Sequence, residues 1–453
     1  MRGNTARFIV LLLIGSFAIR AAVVMALRDI HIGPHGIASA DDVEFNNLAL
    51  RVSQGKGYVG DQGQFTSFRA PGWPFVLAGL YWLAGPCVPL IYGVLCLLGA
   101  ISCVLTYLLA RELVEERTAR IAGLLAAFYL PHIYFSAGFL SESLFVACLA
   151  LGIWSFLLAR KRNSLVLLML AGLTLSWATL TRPFAVLLWP ILLSVLGLSP
   201  GDLSRPRLLR MLAFTAAFFV CIMPWTLRNQ RVHGHFVFVA TNGGSTFYGG
   251  NNERVAQEFR QLGSWISTTE LPHRDWIEAA PTELEHDKRE WQLGLTWVRQ
   301  HPATVPLLCV YKAARWCLWL PDFDGGSRIY YLIRILGYVP FLLLIIVGLG
   351  VGARRRIMWQ ADWMIVHGVM LATFVTALIF WGSPRFRDAN MPFLMIYAAF
   401  GFAQFMSRQT VKQGKHRVLT PQTIVNTSSS NGTNVEEEEM TKTKVEYASK
   451  ATV

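Results

Sequence analysis

Acidic and guanidinium side chains stand at the polar ends of apolar runs along this chain, and they are the residues able to do chemistry. Asp41 and Asp42 open the polar stretch 40–74, and Glu142 lies at a bend between two apolar runs. Arg69, Arg182, Arg228, Arg231, Arg385 and Arg387 fall at other run ends or in the short segments beside them. A guanidinium fork meets two phosphate oxygens at once, so arginines gathered on one face of a membrane suit a lipid-linked phosphate. Singly, each arginine can equally pair with a loop acid or a lipid headgroup. The acids also have a second use: a carboxylate in the first turn of a helix accepts from exposed N–H groups and suits the dipole. Asp41 can serve there while Asp42 projects outward, and Glu142 fits the first turn of a helix capped by Ser141. Convergence of these groups from separate segments onto one side is what capping and surface pairing leave unexplained.

The elements that must hold these groups are membrane spans. Of the 453 residues, 53% are hydrophobic and 15% charged, where about 25% charged is usual in a soluble domain. The net charge of +13 sits beside apolar runs, where cytoplasmic anchoring accounts for it and nucleic-acid binding does not. Arg2 and Arg7 precede the run 8–27, which is too long for a signal h-region and has no cleavage pattern, so it reads as a first span with its amino end inside. Runs 90–110, 121–136, 143–159, 165–180, 184–198 and 208–227 then alternate across the bilayer. The stretch 297–320, with Pro306, Lys312, Arg315 and the Trp316/Trp319 pair, reads as an interfacial helix, and 331–351, 363–381 and 391–406 complete about ten spans. On this topology the six arginines lie outside, against the positive-inside bias.

Within the first external loop, Phe45, Leu48, Ala49 and Val52 fall at i, i+3, i+4 and i+7 and predict a short amphipathic helix over 42–53, lying along the surface. Residues 233–301 read as a small exoplasmic α+β subdomain, with HFVFVATNGG as a strand ending in an Asn-Gly turn. Gly243-Gly244 and Gly249-Gly250 fit hairpin turns ahead of a phosphate cradle. The expected fold class is all-α membrane, a polytopic helical bundle. It comprises a transmembrane module 1–232 that includes the external loop 28–88, an exoplasmic part 233–328 with its interfacial helix, C-terminal spans 329–407, and a disordered cytoplasmic tail 408–453. Asn426 and Asn431 head glycosylation acceptor patterns that a cytoplasmic tail would never present to the enzyme. The seven cysteines read as small core residues. Gly33 and Pro34 deny His31 and His35 the regular helix a zinc pair needs, so no metal ligands are assigned.

A series of motifs resembles a known family. In chain order they are Asp42-x-x-Phe45-x-x-Leu48-Ala49, Gly55-Lys56-Gly57-Tyr58, Phe68-Arg69-Ala70-Pro71-Gly72-Trp73-Pro74, Ser141-Glu142 and Leu180-Thr181-Arg182-Pro183. Pro224-Trp225-x-x-Arg228-Asn229, Asn242-Gly243-Gly244 with Gly250-Asn251, and Arg385-Phe386-Arg387 ahead of Pro392 follow. Together they resemble the polytopic membrane glycosyltransferases of the GT-C class, in particular the bacterial relatives of the dolichyl-phosphate-mannose protein mannosyltransferases and of the lipid A aminoarabinose transferase. The chain departs from the pattern at Phe45, where tyrosine is usual, at Ala70, where the corner usually has its first proline, and at Trp73, the corner's aromatic.

The resemblance implies inverting transfer of a sugar from a polyprenyl-phosphate donor to an acceptor glycan, lipid or protein, on the outer side of a bacterial cytoplasmic membrane. It implies a general base in the first external loop, Asp42 with Asp41 as its rival, and Glu142 as a further acid. It places Arg385, Arg387, Arg69 and Arg228 at the donor phosphate, and Tyr58, Arg182 and Asn251 around the sugar or acceptor. No cofactor is called for, and a divalent cation is left open. In such a reaction the base takes a proton as the acceptor attacks the anomeric carbon, and arginines fixed beforehand meet the charge that builds on the leaving phosphate. A lipid-glycan transporter or flippase would instead place ionisable groups at the bilayer midplane, where these runs hold almost none. An inactive scaffold of the same fold is the third reading.

Overall fold

The computed structural model of this chain describes residues 2–31, 40–198, 205–318 and 328–418. His35, Trp319, Asn426 and Asn431 lie outside the described residues, and so does the side chain of His31. The chain divides into two units, Met1–Phe405 and Met406–Val453. The second is described only over 406–418, which are helical.

Apolar runs in lipid satisfy their backbone internally by coiling into helices. Among the described residues, five helices are long and apolar enough to cross a membrane: Gly3–Ala26, Val88–Leu113, Glu142–Arg162, Ile335–Arg354 and Ala361–Ile379. A pair bent by 48°, Arg205–Phe219 and Ile222–His233, makes a sixth if counted as one span. Gly72–Ala84, Leu165–Thr181, Pro183–Gly197 and Met391–Met406 are shorter apolar helices. The expected helical bundle is therefore present, with fewer full-length helices than the ten expected spans. Proline is one cause. The expected run 121–136 is split between Glu116–Ala127 and Leu130–Tyr134, and Pro131 sits in the first turn of the second helix, where its missing N–H costs least.

Helix Glu142–Arg162 is buried nearly all round and packs between Val88–Leu113 and Leu165–Thr181. Its sequence is apolar on every face between Glu142 and the basic end Arg160-Lys161-Arg162, as a central helix requires. Elsewhere two glycines let backbones touch. A Cβ on Gly348 would overlap the Tyr397 carbonyl and one on Gly401 the Leu344 carbonyl, so helices Arg328–Arg354 and Met391–Val418 cross in contact. Gly401→Leu is expected to destabilise the protein by about 1–3 kcal/mol, read as a lower melting temperature in detergent. An unchanged melting temperature would mean the crossing is not close-packed.

The amphipathic helix of the first loop is present as Ala40–Ser53. Phe45, Leu48 and Ala49 are buried, and the helix packs against Gly72–Ala84. The expected strand over HFVFVA is not formed, and the described residues contain no strand, only an isolated bridge between Val59 and Phe65. Side chains of Ile222–His233 take the carbonyls a partner strand would have used. Trp225 Nε1 donates to Val239 O at 2.7 Å, Thr226 Oγ1 to Phe238 O at 2.7 Å, and Asn229 Nδ2 to both Val237 O and Val239 O at 3.2 Å. The Asn242-Gly243 pair is no hairpin turn either. Asn242 precedes helix Gly243–Gly250, which contains both Gly-Gly pairs. Residues 233–318 are thus helices and connecting chain, and the α+β description does not apply to them.

The helix expected along the interface is Val305–Cys317. Its charges turn inward, however: Lys312 and Arg315 are buried. Arg315 Nη2 donates to Arg260 O at 2.9 Å, and Lys312 Nζ donates to Asn251 Oδ1 at 2.8 Å and to Leu378 O at 3.2 Å.

Candidate active site

Five elements bring charge to one place. Helix Ala40–Ser53 contributes Asp41 from its first turn, the corner 68–74 contributes Arg69, and the start of Glu142–Arg162 contributes Glu142. Arg182 ends Leu165–Thr181, and Arg385 comes from the short helix Pro384–Asp388. Asp41 Oδ1 accepts from Arg69 Nη2 at 2.8 Å and its Oδ2 from Arg385 Nη1 at 3.2 Å. Glu142 Oε1 accepts from Arg385 Nε at 2.5 Å and from Arg182 Nη2 at 2.8 Å. Arg69 also pairs with Glu44. Three guanidiniums therefore face three carboxylates, with Arg385 bridging Asp41 and Glu142. Ser141 makes no side-chain cap at the head of Glu142–Arg162, and the Glu142 carboxylate goes to the arginines.

Burial alone would raise the Asp41 carboxyl, but Arg385 and then Arg69 outweigh it and hold it below its ordinary value. Burial opposes the Arg69 charge, and Asp41 with Glu44 outweighs that effect, so its proton is held more tightly than usual. Arg182 goes the other way: burial lowers it despite Glu142.

Local packing explains how the corner delivers Arg69. Gly72 is pressed against Thr181, where any Cβ would meet Thr181 Oγ1 and backbone, so the corner can lie directly on the segment that ends in Arg182. Trp73 is fully buried and donates from Nε1 to Phe139 O at 2.6 Å, tying the corner to the bend before Glu142. Tyr58 donates its hydroxyl to Arg69 O at 2.9 Å and packs edge-on against Phe75 and Trp225.

The other expected site residues fall into different settings. Asp42 is buried on the inward face of its helix with Phe45 and Ala49, its Oδ1 against Gly138. Arg228 clamps the loop: Nη1 donates to Thr66 O at 2.7 Å, Nη2 to Tyr58 O at 2.8 Å, and the guanidinium lies over Trp225. Arg387 is wholly buried over the Tyr338 ring and pairs with Asp388 Oδ1 at 2.8 Å, an acid that outweighs burial and raises the guanidinium above its usual value. Asp388 in turn accepts from the Tyr129 hydroxyl at 2.6 Å. Asn251 is buried on Lys312 and donates to Phe247 O at 2.8 Å and Ile379 O at 3.0 Å. Arg231 is exposed. Among the described residues no group of three His, Cys, Asp or Glu could hold a metal ion.

Several charged residues escaped the sequence reading. Glu283 binds the loop before Arg69 by accepting from Thr66 Oγ1 at 2.6 Å and Ser67 N at 2.8 Å. Arg20, inside the span Gly3–Ala26, is fully buried with Nη1 on Ser16 O at 3.1 Å and Nη2 on Cys103 Sγ at 3.3 Å. An arginine in an apolar run was signal enough. Asp287 accepts from Gly244 N at 2.6 Å, so an acid of the chain itself occupies that helix start. Burial lifts the Asp287 carboxyl from 3.8 to about 7. Folding therefore favours its protonated form, and stability falls as pH rises from about 4 to about 7. Asp287→Asn is expected to remove that slope in melting temperatures taken at pH 5 and pH 8. Equal slopes in variant and wild type would contradict the assignment.

The expected resemblance to the GT-C class holds: the chain has the fold of these polytopic membrane glycosyltransferases. Residues 69–227 match the family described as dolichyl-phosphate-mannose-protein mannosyltransferase, a stretch that includes Arg69, Glu142 and Arg182. Among solved structures the chain is similar to the archaeal oligosaccharyltransferase AglB from Archaeoglobus fulgidus in complex with an inhibitory peptide and a dolichol-phosphate. Identity is 14%, the TM-score is 0.54, and 93% of this chain and 52% of that one are covered. The apo form of the A. fulgidus oligosaccharyltransferase matches at 13% identity and a TM-score of 0.52, over 91% of this chain and 53% of that one. The chain thus spans about half the length of these proteins, and at such identities the likeness is one of fold. ArnT from Cupriavidus metallidurans bound to undecaprenyl phosphate matches at 12% identity and a TM-score of 0.41, over 85% of this chain and 76% of that one. No curated protein matches the chain by sequence.

Proposed function

We propose that the protein transfers a sugar from a polyprenyl-phosphate donor to an acceptor glycan, lipid or protein, with inversion, on the outer side of a bacterial cytoplasmic membrane. The observation that carries this reading is the Arg69–Asp41–Arg385–Glu142–Arg182 chain of ion pairs, assembled from five separate segments. Arg69 and Arg385 bind the donor phosphate, with Arg182 and Glu142 holding Arg385 from behind. Asp41 takes the proton of the acceptor hydroxyl or amine as it attacks the anomeric carbon. The bond to the phosphate oxygen breaks, and the charge left on polyprenyl phosphate meets guanidiniums already in place. Of the two loop acids, Asp41 is preferred because it faces the arginines, whereas Asp42 is buried. Arg387 and Arg228 support the site from within the fold: Asp388 accepts from Arg387 Nε and Nη2, and loop carbonyls accept from Arg228 Nη1 and Nη2.

The test is transfer by the purified protein in liposomes from a panel of radiolabelled polyprenyl-phosphate hexoses and pentoses to membrane extract. Release of polyprenyl phosphate with label in the acceptor fraction is expected from one donor of the panel. Lipid-linked sugar that changes leaflet without being consumed would support the second reading, a lipid-glycan transporter, which the buried Arg20 inside a span favours.

A further inference from the structure

We propose that Asp41 holds the place of the donor phosphate in the ligand-free protein, and that the arriving phosphate frees it to act as base. This rests on the sugar-transfer reading above. The two Asp41 oxygens occupy Arg69 Nη2 and Arg385 Nη1, which lie on different segments and are bridged by this carboxylate. A pair of phosphate oxygens would bridge the same two nitrogens.

Charge favours exchange over simple addition. Glu44 and Glu142 engage the same arginines, so no guanidinium of the three is left without an acid. The phosphodiester of a polyprenyl-phosphate sugar carries one negative charge, as a carboxylate does, so swapping one for the other leaves the balance intact. Asp41 is the acid suited to leave. Its side chain is 26% exposed and stands in a first turn, whereas Glu142 is 3% exposed and is held by Arg182 as well as Arg385. Loss of Glu44 would free Arg69 Nε and neither of the two nitrogens that Asp41 holds.

The exchange links binding to chemistry. A carboxylate with both oxygens on guanidiniums is a poor base, and one released from them regains its ordinary basicity. Donor therefore binds before the acceptor can be deprotonated.

The test is titration of the full-length protein in detergent with farnesyl phosphate, for wild type, Asp41→Asn and Arg385→Ala. Asp41→Asn is expected to bind about two- to fivefold tighter, the scale of one partly exposed ion pair removed from competition. Arg385→Ala is expected to bind more weakly. If Asp41→Asn binds no tighter while Arg385→Ala loses affinity, the exchange is wrong and the phosphate site stands. If Arg385→Ala binds like wild type, the sugar-transfer reading of this cluster falls as well. Carboxyl footprinting of the unmutated protein gives a second reading that does not depend on a variant folding. Labelling of Asp41 should rise on adding farnesyl phosphate, and a fall or no change overturns the exchange.

Discussion

Asp41→Asn is expected to lower sugar transfer by about 10²–10⁴-fold, the usual contribution of a positioned general base, with the protein still folded and inserted. Asparagine keeps the size and accepting oxygen of the side chain, so the helix start and one bond to Arg69 or Arg385 survive while basicity is lost. The loss should fall on kcat. Single-turnover transfer from a labelled donor, run beside Asp42→Asn, separates the two acids. Asp42 is buried beside Phe45 and Ala49, so its replacement should act first on stability. Transfer at the wild-type rate in Asp41→Asn would remove Asp41 from the chemistry.

Arg385→Ala is expected to cost about 10²–10³-fold in turnover, as removal of one preorganised partner for a developing oxyanion does. Donor affinity should fall with it. Arg385 is the joint of the ionic chain, donating Nε to Glu142 and Nη1 to Asp41, so its removal leaves Glu142 with Arg182 alone. Arg385→Lys restores charge without the fork and should recover only part of the loss. Arg387→Ala, two residues on, strips the cationic partner from a buried Asp388 and leaves it the Tyr129 hydroxyl, and a fall in melting temperature should precede any donor-specific effect. A donor defect confined to Arg387→Ala would reverse these roles.

Much of this arrangement was legible before the fold was known. Arginines at span ends expected on the outer side break a strong bias, and Arg69, Arg182 and Arg385 do meet in one cluster with Asp41 and Glu142. Asp42, expected to project outward as the base with Asp41 as its rival, is instead buried, and its position was legible. The spacing that predicts the first-loop helix puts residue 42 on the same stripe as Phe45 and Ala49, and buried Asp42 follows from that phase. The role of Arg387 hung on its neighbour, because Asp388 beside it offers an internal partner.

What could not be read was set by tertiary hydrogen bonding. HFVFVA has a strand's composition, but whether its carbonyls meet another strand or the side chains of Trp225, Thr226 and Asn229 depends on which helix lies beside it. Lys312 and Arg315 look like interfacial anchors until Asn251, the end of helix Ala361–Ile379 and the Arg260 carbonyl surround them. Burial of that kind is a property of the packed bundle and leaves no local periodicity.

The most direct measurement is a structure of the protein with a polyprenyl phosphate bound. The phosphate should lie within hydrogen-bond distance of both Arg69 and Arg385, with the Asp41 carboxylate no longer on either guanidinium. A phosphate lodged elsewhere in the bundle, with the Arg69–Asp41–Arg385 pairs unbroken, would contradict the assignment of this cluster to sugar transfer.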